Sequence, residues 1–471
     1  MKNSWVKNLK LELKKQVKNV HNFLHSMTNM FVRFVQRWLP RPFTFAIILS
    51  VVVFILGMSV CNKTVMEMVD YWGKGFFGLF PFTMQMILIV VTGHALASAP
   101  FVQNILGVLA SLPRGPKSAV FFVGLVSCIV SYINWGFGLV IGALVAKEVA
   151  IKKRGLNIHY PLLIAAVYGG NVLRGPSSAI PLSIATPGHF LENVCGIIPV
   201  SETLFSTWNM IITVVLIFTI PWLCMLLCPD NDSEFPPIEL DSSIIEEELR
   251  KKESVKAVRI RKLDSIAQKL DNSIILMFLV VLAGFCYLYN FFALQKSFNL
   301  NLNTINFAFM ILGLLAHGSP ARYAAAVNEG VKSVGGIILQ FPFYAGMMGM
   351  MRDAGLTQVL SSWFVSISSA KTLPLFTFWS AGLVNIFIPS GGGQWAVQGP
   401  IMMEAAKSLG ADGAKVAMAL CWGDSWTNQI QPFWALTILA ISGLGVRDIM
   451  GYCLSIALWV GIFVSLAFLI F

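Results

Sequence analysis

The 471-residue sequence is 56% hydrophobic and only 12% charged, a composition too apolar for a soluble globular protein. Its net charge of +11 is unevenly distributed along the chain, which argues against a nucleic-acid-binding surface. Apolar windows such as 43–60, 206–228, 272–294 and 448–471 are long enough to cross the bilayer as helices, and the short alternating segments of a membrane β-barrel do not occur. The sequence therefore predicts an all-α polytopic membrane protein.

Two charged segments are predicted to lie in the cytoplasm. Residues 1–41 carry nine Lys or Arg and one acid, Glu12, and lack the apolar core and cleavage site of a signal peptide. We interpret them as a basic amphipathic helix on anionic lipid, with a solvated tail as the alternative. The linker 229–271 carries both charges, and its basic half precedes the next apolar span, which the positive-inside rule assigns to the cytoplasm.

Two apolar stretches are predicted to be re-entrant hairpins. Basic residues flank both ends of 117–150, so both ends belong on the cytoplasmic side when crossings are counted from a cytoplasmic amino terminus. A second hairpin, 372–406, enters from the opposite side. The same count predicts a carboxyl terminus outside the cell.

The two halves of the apolar sequence resemble each other. LFPFTMQM (79–86) recurs as QFPFYAGM (340–347), and each copy continues into a short amphipathic stretch, a hairpin and a helix interrupted by breaker residues. Because an unpaired helix at 272–294 separates the copies, the second repeat is predicted to be inverted, as in secondary transporters. The predicted units are the first transmembrane repeat (42–228), a connecting helix and loop (272–302) and the second repeat (303–471).

The hairpin turns and the broken helices predict one binding site near the middle of the bilayer. Non-helical backbone at this depth persists only where protein or a water-filled cavity satisfies its polar groups. The glycines of IPSGGGQWAVQGP (388–400) also allow an amide nest that attracts an anion, with tight packing of the hairpin as the alternative. The candidate substrate-binding residues are Asn134, Trp135, Gly136, Asn171, Arg174, Ser177, Ser178, Ser390, Gly391, Gly392, Gly393, Gln394, Asn428 and Gln431.

One ionisable residue lies in each of the interruptions YGGNVLRGPSSAIP (168–181) and WGDSWTNQIQP (422–432). Charges at this depth are costly unless they are paired or solvated, so Arg174 is a candidate for binding a carboxylate and Asp424 for taking a proton or coordinating Na⁺. Ser425 and Thr427 are grouped with Asp424 as cation-coupling candidates. The alternative is that Arg174 and Asp424 only neutralise each other.

Other polar and aromatic residues refine this hypothesis. A Na⁺ ion is expected near Asn134, Ser390 or Asp424 if Na⁺ is the coupling ion, whereas no resident metal site or cofactor is expected. The eight cysteines form no metal or redox spacing, and no HExxH, P-loop or nucleophile elbow occurs, so the protein is not predicted to be an enzyme. Five tryptophans near the breaks are candidates for an apolar wall or for interfacial anchors: Trp135, Trp395, Trp422, Trp426 and Trp434.

From about residue 28 to 471 the sequence resembles the short-chain fatty acid transporter family, the acetoacetate and butyrate permeases of the ion transporter superfamily. The resemblance is carried by RFVQRWLP (33–40), MQMILIVVTGHALASAP (84–100), INWGFGLVIGALVAKEVA (133–150), IPSGGGQWAVQGP (388–400), QPFWAL (431–436) and GLGVRDIMGYC (443–453). It implies uptake of small monocarboxylates through the inner membrane, coupled to a cation and moving by alternating access. The family's binding loops would fall on the two hairpin turns and the two breaks.

The sequence departs from that family at two positions inside the breaks. Leu173-Arg174-Gly175 stands where the family usually has a Trp followed by glycines, a change that could alter substrate choice. Asp424 stands where many members have Glu, which keeps the carboxylate but shortens its reach.

The resulting hypothesis is a secondary carrier of short-chain monocarboxylates driven by H⁺ or Na⁺. Its partners would be the small monocarboxylate and the lipid bilayer, without nucleic acid, and pairing into a homodimer is left open. The first alternative is a Na⁺/H⁺ or other ion antiporter on the same scaffold. The second alternative is a membrane receptor or channel. The buried breaks in both repeats argue against it, because they give no continuous pore.

Overall fold

The structure, a computed structural model, describes residues 42–229, 265–294, 300–332, 334–386, 388 and 390–471. Every regular element in these residues is a helix, in agreement with the all-α prediction. The predictions for the basic segment 1–41 and for most of the linker 229–271 lie outside the described residues.

Ten helices, α1 to α10, make up the first repeat. Prolines begin several of them, because proline at the first helical position fits the helical φ angle and lacks an N–H that would stay unbonded. In chain order they are Pro42–Cys61, Val65–Gly75, Phe80–Ala97, Pro100–Leu109, Pro116–Ile133, Trp135–Lys152, Tyr160–Gly170, Ala179–Ile184, Glu192–Cys195 and Thr207–Leu226.

The connecting segment contains the short helix Ile266–Asp271 (α11) and the apolar helix Ile274–Tyr289 (α12), which ends in a π-helical turn at Asn290–Leu294. The second repeat follows as α13 to α21. These helices are Leu302–His317, Pro320–Val331, Gly335–Ala354, Leu356–Ile367, Leu373–Asn385, Gly391–Leu409, Gly413–Asn428, Pro432–Ser442 and Val446–Ile470.

The order of elements in the second repeat reproduces that in the first. The hairpin α5–α6 corresponds to α17–α18, the broken helix α7–α8 to α19–α20, and the final helix α10 to α21. The amphipathic stretches expected after each FPF motif are the helices α4 and α16. Local sequence signals therefore recur in the same order about 250 residues apart, as the repeat prediction requires.

Contacts between the repeats are reciprocal. Helix α3 packs against α13 and α14 of the second repeat, and its counterpart α15 packs against α1 and α2 of the first. Likewise α6 contacts α20, whereas its counterpart α18 contacts α8. This exchange of equivalent partners is what an approximate two-fold axis produces, and the additional helix α12 between the repeats inverts the second one.

Glycines allow a close approach between α2 of the first repeat and α15 of the second. An added Cβ at Gly75 would lie 2.9 Å from the Cα of Gly349, and one at Gly349 would lie 2.7 Å from the carbonyl oxygen of Tyr71. Helices in lipid gain little from hydrophobic exclusion of water, so small residues that permit backbone contact stabilise their association. This contact joins α2 to α15 and holds the helices that flank the site.

Helix lengths explain which predicted crossings are continuous. By length and composition, five helical segments of the described residues are able to cross a membrane, or six if Pro320–Val331 and Gly335–Ala354 count as one span bent by 54°. Helix α3 begins at Phe80, after a turn that contains Gly78 and precedes Pro81. The hairpin arm Pro116–Ile133 also has the length of a span, so its re-entrant nature stays a prediction.

Candidate functional site

The two breaks and the two hairpin turns meet at one cavity of about 60 Å³. Helices α3 and α15, one from each repeat, also contribute lining residues. The lining residues are Met86, Trp135, Asn171, Arg174, Ser178, Ala179, Ile180, Ile337, Phe341, Ser390, Gly391, Gly392, Cys421, Asp424, Asn428 and Trp434.

The backbone of the breaks is satisfied by contacts between the repeats. The Tyr168 hydroxyl donates to the carbonyl oxygens of Asn428 (2.6 Å) and Gln431 (3.2 Å) in the second break. In return, Nε2 of Gln429 donates to the carbonyl oxygen of Tyr168 at 2.9 Å. The carbonyls of Tyr168 and Asn428 also accept a backbone N–H of their own break, from Asn171 (3.0 Å) and Gln431 (3.2 Å), so the side-chain bonds add a second donor in a water-poor environment. These bonds therefore fix the first break against the second.

A buried ion pair links the first break to helix α19. The sequence predicted Asp424 inside the second interruption, but α19 continues to Asn428, so Asp424 lies on this helix and the break begins after it. Arg174 Nη2 donates to Asp424 Oδ2 at 3.0 Å, and the two side chains are only 9% and 5% exposed. The other carboxylate oxygen, Oδ1, is buried without a hydrogen-bond partner among the described residues. Both residues line the cavity. The pair thus presents one cationic and one incompletely bonded anionic group to whatever occupies the cavity.

The second hairpin turn lies directly against this ion pair. Ser390 is the N-cap of α18 and accepts a bond from the Gly393 N–H at 3.3 Å. A Cβ added at Gly391 would lie 3.1 Å from Asp424 Oδ2, closer than nearly all real Cβ contacts. Glycine at this position therefore lets the positive end of the α18 dipole approach the Asp424 carboxylate.

The first hairpin turn is tied to the first break. Asn134 is the N-cap of α6, accepting from the Phe137 N–H at 2.9 Å, and the Trp135 N–H donates to Ser177 Oγ at 3.1 Å. An added Cβ at Gly93 would contact Asn134 Oδ1 at 2.8 Å, so α3 packs tightly on this turn. Asn134 is completely buried and does not line the cavity.

Aromatic rings form the apolar wall. Trp135 and Trp434 meet edge to face with their centroids 5.1 Å apart, one from each repeat. Phe341 and Met86 contribute from the flanking helices α15 and α3. The cavity lining thus combines the ion pair with apolar side chains, which suits a small amphipathic anion.

Nine predicted site residues line the cavity: Trp135, Asn171, Arg174, Ser178, Ser390, Gly391, Gly392, Asp424 and Asn428. The remaining candidates lie behind it: Asn134, Gly136, Ser177, Gly393, Gln394, Ser425, Thr427 and Gln431.

Several of the candidates that do not line the cavity form hydrogen bonds to backbone carbonyl groups. Ser425 Oγ donates to the Trp422 carbonyl at 2.9 Å and Thr427 Oγ1 to the Gly382 carbonyl at 2.8 Å. Gln394 and Gln431 each use their Nε2 group as a donor to a carbonyl oxygen of α17, those of Ala381 and Asn385. Their polar groups therefore stabilise the second hairpin and the second break.

Sequence reasoning missed six lining residues: Met86, Ala179, Ile180, Ile337, Phe341 and Cys421. The sequence contained a signal for two of them, because Met86 and Phe341 belong to the two copies of the repeated FPF motif. Of the five tryptophans considered for an apolar wall, only Trp135 and Trp434 line the cavity.

Two cavity-lining residues carry buried oxygen atoms that could hold a Na⁺ ion. Asn171 Oδ1 and Asp424 Oδ1 are buried acceptors without donors among the described residues, which fits a cation or a proton. Asn134 fits less well, since its oxygen caps α6 and its unpaired atom is the donor Nδ2. No cluster of three or more His, Cys, Asp or Glu occurs in the part of the chain that the structure describes.

Comparison with known proteins identifies the family. The model of the family "Short chain fatty acid transporter" matches residues 23–471. A protein of Escherichia coli (strain K12) named "Putative short-chain fatty acid transporter" is 41% identical over 438 residues, covering 93% of this chain and 97% of that protein. One of the same name from Haemophilus influenzae is 39% identical over 442 residues, covering 91% and 96%.

Two solved structures share the fold. Neisseria gonorrhoeae MtrF, described within a class of antimetabolite efflux pumps, superposes with a TM-score of 0.61 at 16% identity, covering 95% of this chain and 97% of that one. The Alcanivorax borkumensis YdaH transporter, described as having an unusual topology, superposes with a TM-score of 0.57 at 14% identity, covering 92% and 98%. At these identities the likeness is one of fold.

Proposed function

The chain belongs to the short chain fatty acid transporter family, and we propose that it is a secondary active carrier of short-chain monocarboxylates such as butyrate and acetoacetate. Members of this family are multi-pass membrane transporters and not enzymes. The proposal adds the substrate class and the coupling of uptake to an H⁺ or Na⁺ gradient. It also adds the inner membrane as location, with a cytoplasmic amino terminus and an external carboxyl terminus.

The observation that carries the proposal is the Arg174–Asp424 pair in a small cavity between the repeats. A guanidinium is the side chain best suited to hold a carboxylate by two parallel hydrogen bonds. At roughly 10–15 Å³ for each water-sized group, the cavity of about 60 Å³ holds about four to six such groups. Unsubstituted acids of two to four carbons, from acetate to butyrate, have that many non-hydrogen atoms, and acetoacetate has one more because of its keto oxygen.

In this proposal the carboxylate of the substrate binds Arg174 and the amide nest at Gly391 and Gly392, while the hydrocarbon tail contacts Trp135 and Trp434. Asp424 binds the coupling cation. Ser178, Asn171 and Asn428 supply further polar contacts. The remaining predicted residues, such as Ser425 and Gln431, act by holding the breaks in shape. Re-entrant hairpins that carry these turns would expose the site to each side in turn.

Transport into liposomes tests the function. Purified protein is reconstituted, and uptake of labelled butyrate and acetoacetate is followed with an inward Na⁺ gradient, an inward H⁺ gradient or no gradient. Protein-free liposomes are the control, because short-chain acids also enter lipid unassisted in their neutral form. We expect protein-dependent accumulation with at least one gradient. Absence of such uptake in all conditions, together with robust Na⁺/H⁺ exchange, would instead establish the ion antiporter.

The oligomeric state remains a prediction. A homodimer is compatible with the exposed apolar surface, and crosslinking in native membranes would decide it. The cavity itself is formed within one chain, so transport does not require a second copy to complete the site.

A further inference from the structure

The cavity contains a balanced pair of charges when no ligand is bound. Arg174 contributes one positive charge and Asp424 one negative charge, and among the described residues the only side-chain hydrogen bond of Arg174 is the one to Asp424. The nearby titratable groups are the Cys421 thiol and the Tyr168 phenol, both uncharged at neutral pH in their ordinary forms. The empty site is therefore neutral.

No other charged group in the described residues is close enough to change this balance. On α19 itself, Lys415 lies nine residues from Asp424, about 14 Å along the helix, and donates to the Phe471 carbonyl. The helices packed on α19 are α8, α17, α18, α20 and α21, and only α18 and α21 contain charged side chains. Glu404 and Lys407 lie thirteen or more residues beyond Gly391, about 20 Å along α18 at 1.5 Å per residue. Arg447 and Asp448 are exposed at the start of α21.

Binding of an anion alone upsets the balance. A substrate carboxylate beside an ionised Asp424 would put two negative charges around one guanidinium inside the bilayer, where uncompensated charge is costly. It would also compete for the Arg174 Nη2 group that Asp424 already occupies. The substrate and the ionised Asp424 therefore exclude each other at Arg174.

Binding of a cation alone upsets the balance in the opposite sense. A proton or Na⁺ on Asp424 neutralises the carboxylate and leaves Arg174 as an unpaired buried cation. The buried oxygen Oδ1, which has no partner in the described part of the chain, is available to receive such a cation. Only the empty site and the site with one cation and one anion are neutral.

We propose that the ionised Asp424 carboxylate acts as a latch: it occupies Arg174 and releases it to the substrate carboxylate only when one monovalent cation neutralises Asp424. Transport is then an electroneutral symport of one cation with one monocarboxylate. This inference rests on the proposed function. The two singly loaded states carry a net charge that disfavours their rearrangement within the bilayer. The empty and doubly loaded carriers change conformation freely, and this difference couples the two fluxes.

The first test measures net charge movement by the wild-type protein. Acetoacetate accumulation in liposomes is driven by a fixed H⁺ or Na⁺ gradient, and a K⁺ diffusion potential of about 59 mV is then imposed with valinomycin. A transport cycle that moves one net charge would change the steady-state accumulation tenfold. We expect no change beyond that in protein-free liposomes. A tenfold change would overturn the latch while leaving monocarboxylate transport intact.

The second test removes the latch with Asp424→Asn. This variant has an unpaired Arg174 when empty and a neutral site when the anion is bound. We expect butyrate to bind without a requirement for H⁺ or Na⁺, and to raise the unfolding temperature of the variant more than that of the wild type. Exchange of labelled for unlabelled substrate should persist, while gradient-driven accumulation is lost. Butyrate binding by the variant that still depends on pH or Na⁺ would overturn the proposal.

Two further arms identify the cation and guard against misfolding. Asp424→Glu keeps a carboxylate, so its butyrate binding should still depend on a cation. Applying the H⁺ and Na⁺ gradients separately shows which ion is coupled to transport. If Asp424→Asn does not fold, the wild-type charge measurement still decides the stoichiometry. If wild-type protein shows no protein-dependent monocarboxylate transport at all, the proposed function fails, which is an outcome distinct from electrogenic transport.

Discussion

Replacing one partner of the Arg174–Asp424 pair should destabilise the fold far more than replacing both. Each single variant, Arg174→Gln or Asp424→Asn, leaves an uncompensated charge at a place where the two side chains are 9% and 5% exposed. Breaking such a buried pair costs about 3–5 kcal/mol. The double variant leaves two neutral amides of similar size, so we expect it to lose less than about 2 kcal/mol.

The chain contains an exposed pair that serves as a matched control. Lys332 Nζ lies 2.7 Å from Glu329 Oε1, and the two side chains are 70% and 62% exposed. Exposed pairs of this kind contribute about 0–1 kcal/mol because water screens the charges. The same cycle at Lys332→Gln and Glu329→Gln should therefore show almost no coupling.

Unfolding of the purified variants in one detergent, followed by tryptophan fluorescence against denaturant, measures both cycles. A coupling energy near zero for Arg174 and Asp424 would refute the reasoning, since it would mean that water or another group solvates each charge. Equal destabilisation by the single and double variants would lead to the same conclusion. The comparison with the exposed pair removes any general effect of detergent on charged residues.

Three other changes have expected outcomes. Trp434→Ala removes part of the apolar wall, and butyrate has two more methylenes than acetate, each worth about 0.8 kcal/mol when buried, so the KM for butyrate should rise up to about 15-fold more than that for acetate; an equal rise would deny contact with the tail. Gly391→Ala places a methyl group 3.1 Å from Asp424 and should slow transport, whereas the control Gly73→Ala has open space around it and should not. Equal transport rates of the two variants in liposomes would contradict the predicted crowding. Tyr168→Phe removes the hydroxyl that donates to the Gln431 carbonyl, leaves the Asn428 carbonyl with only the Gln431 N–H, and should cost about 1–3 kcal/mol in chemical unfolding; an unchanged midpoint would mean that other groups satisfy these carbonyls.

The order of the helices and the presence of the breaks could be predicted from local signals, whereas the second break begins after Asn428 and not at residue 422. Apolar length, basic flanking residues and clusters of Gly and Pro act over a few residues, so hydropathy and breaker patterns locate the hairpins and the interrupted helices. The recurrence of the FPF motif was enough to pair the two repeats. The fold class and the family followed from the sequence for the same reason.

The partners of individual side chains could not be predicted in this way, because they depend on contacts across hundreds of residues. The sequence left open whether Arg174 and Asp424, 250 residues apart, meet, and packing of one repeat on the other brings them to 3.0 Å. Asn134 and Ser390 have equivalent positions in the repeats, yet only Ser390 lines the cavity, since α3 packs against the first turn through Gly93. Helical segments and their breaks were thus determined by the sequence alone, whereas tertiary packing decided which polar groups face the cavity and which support it.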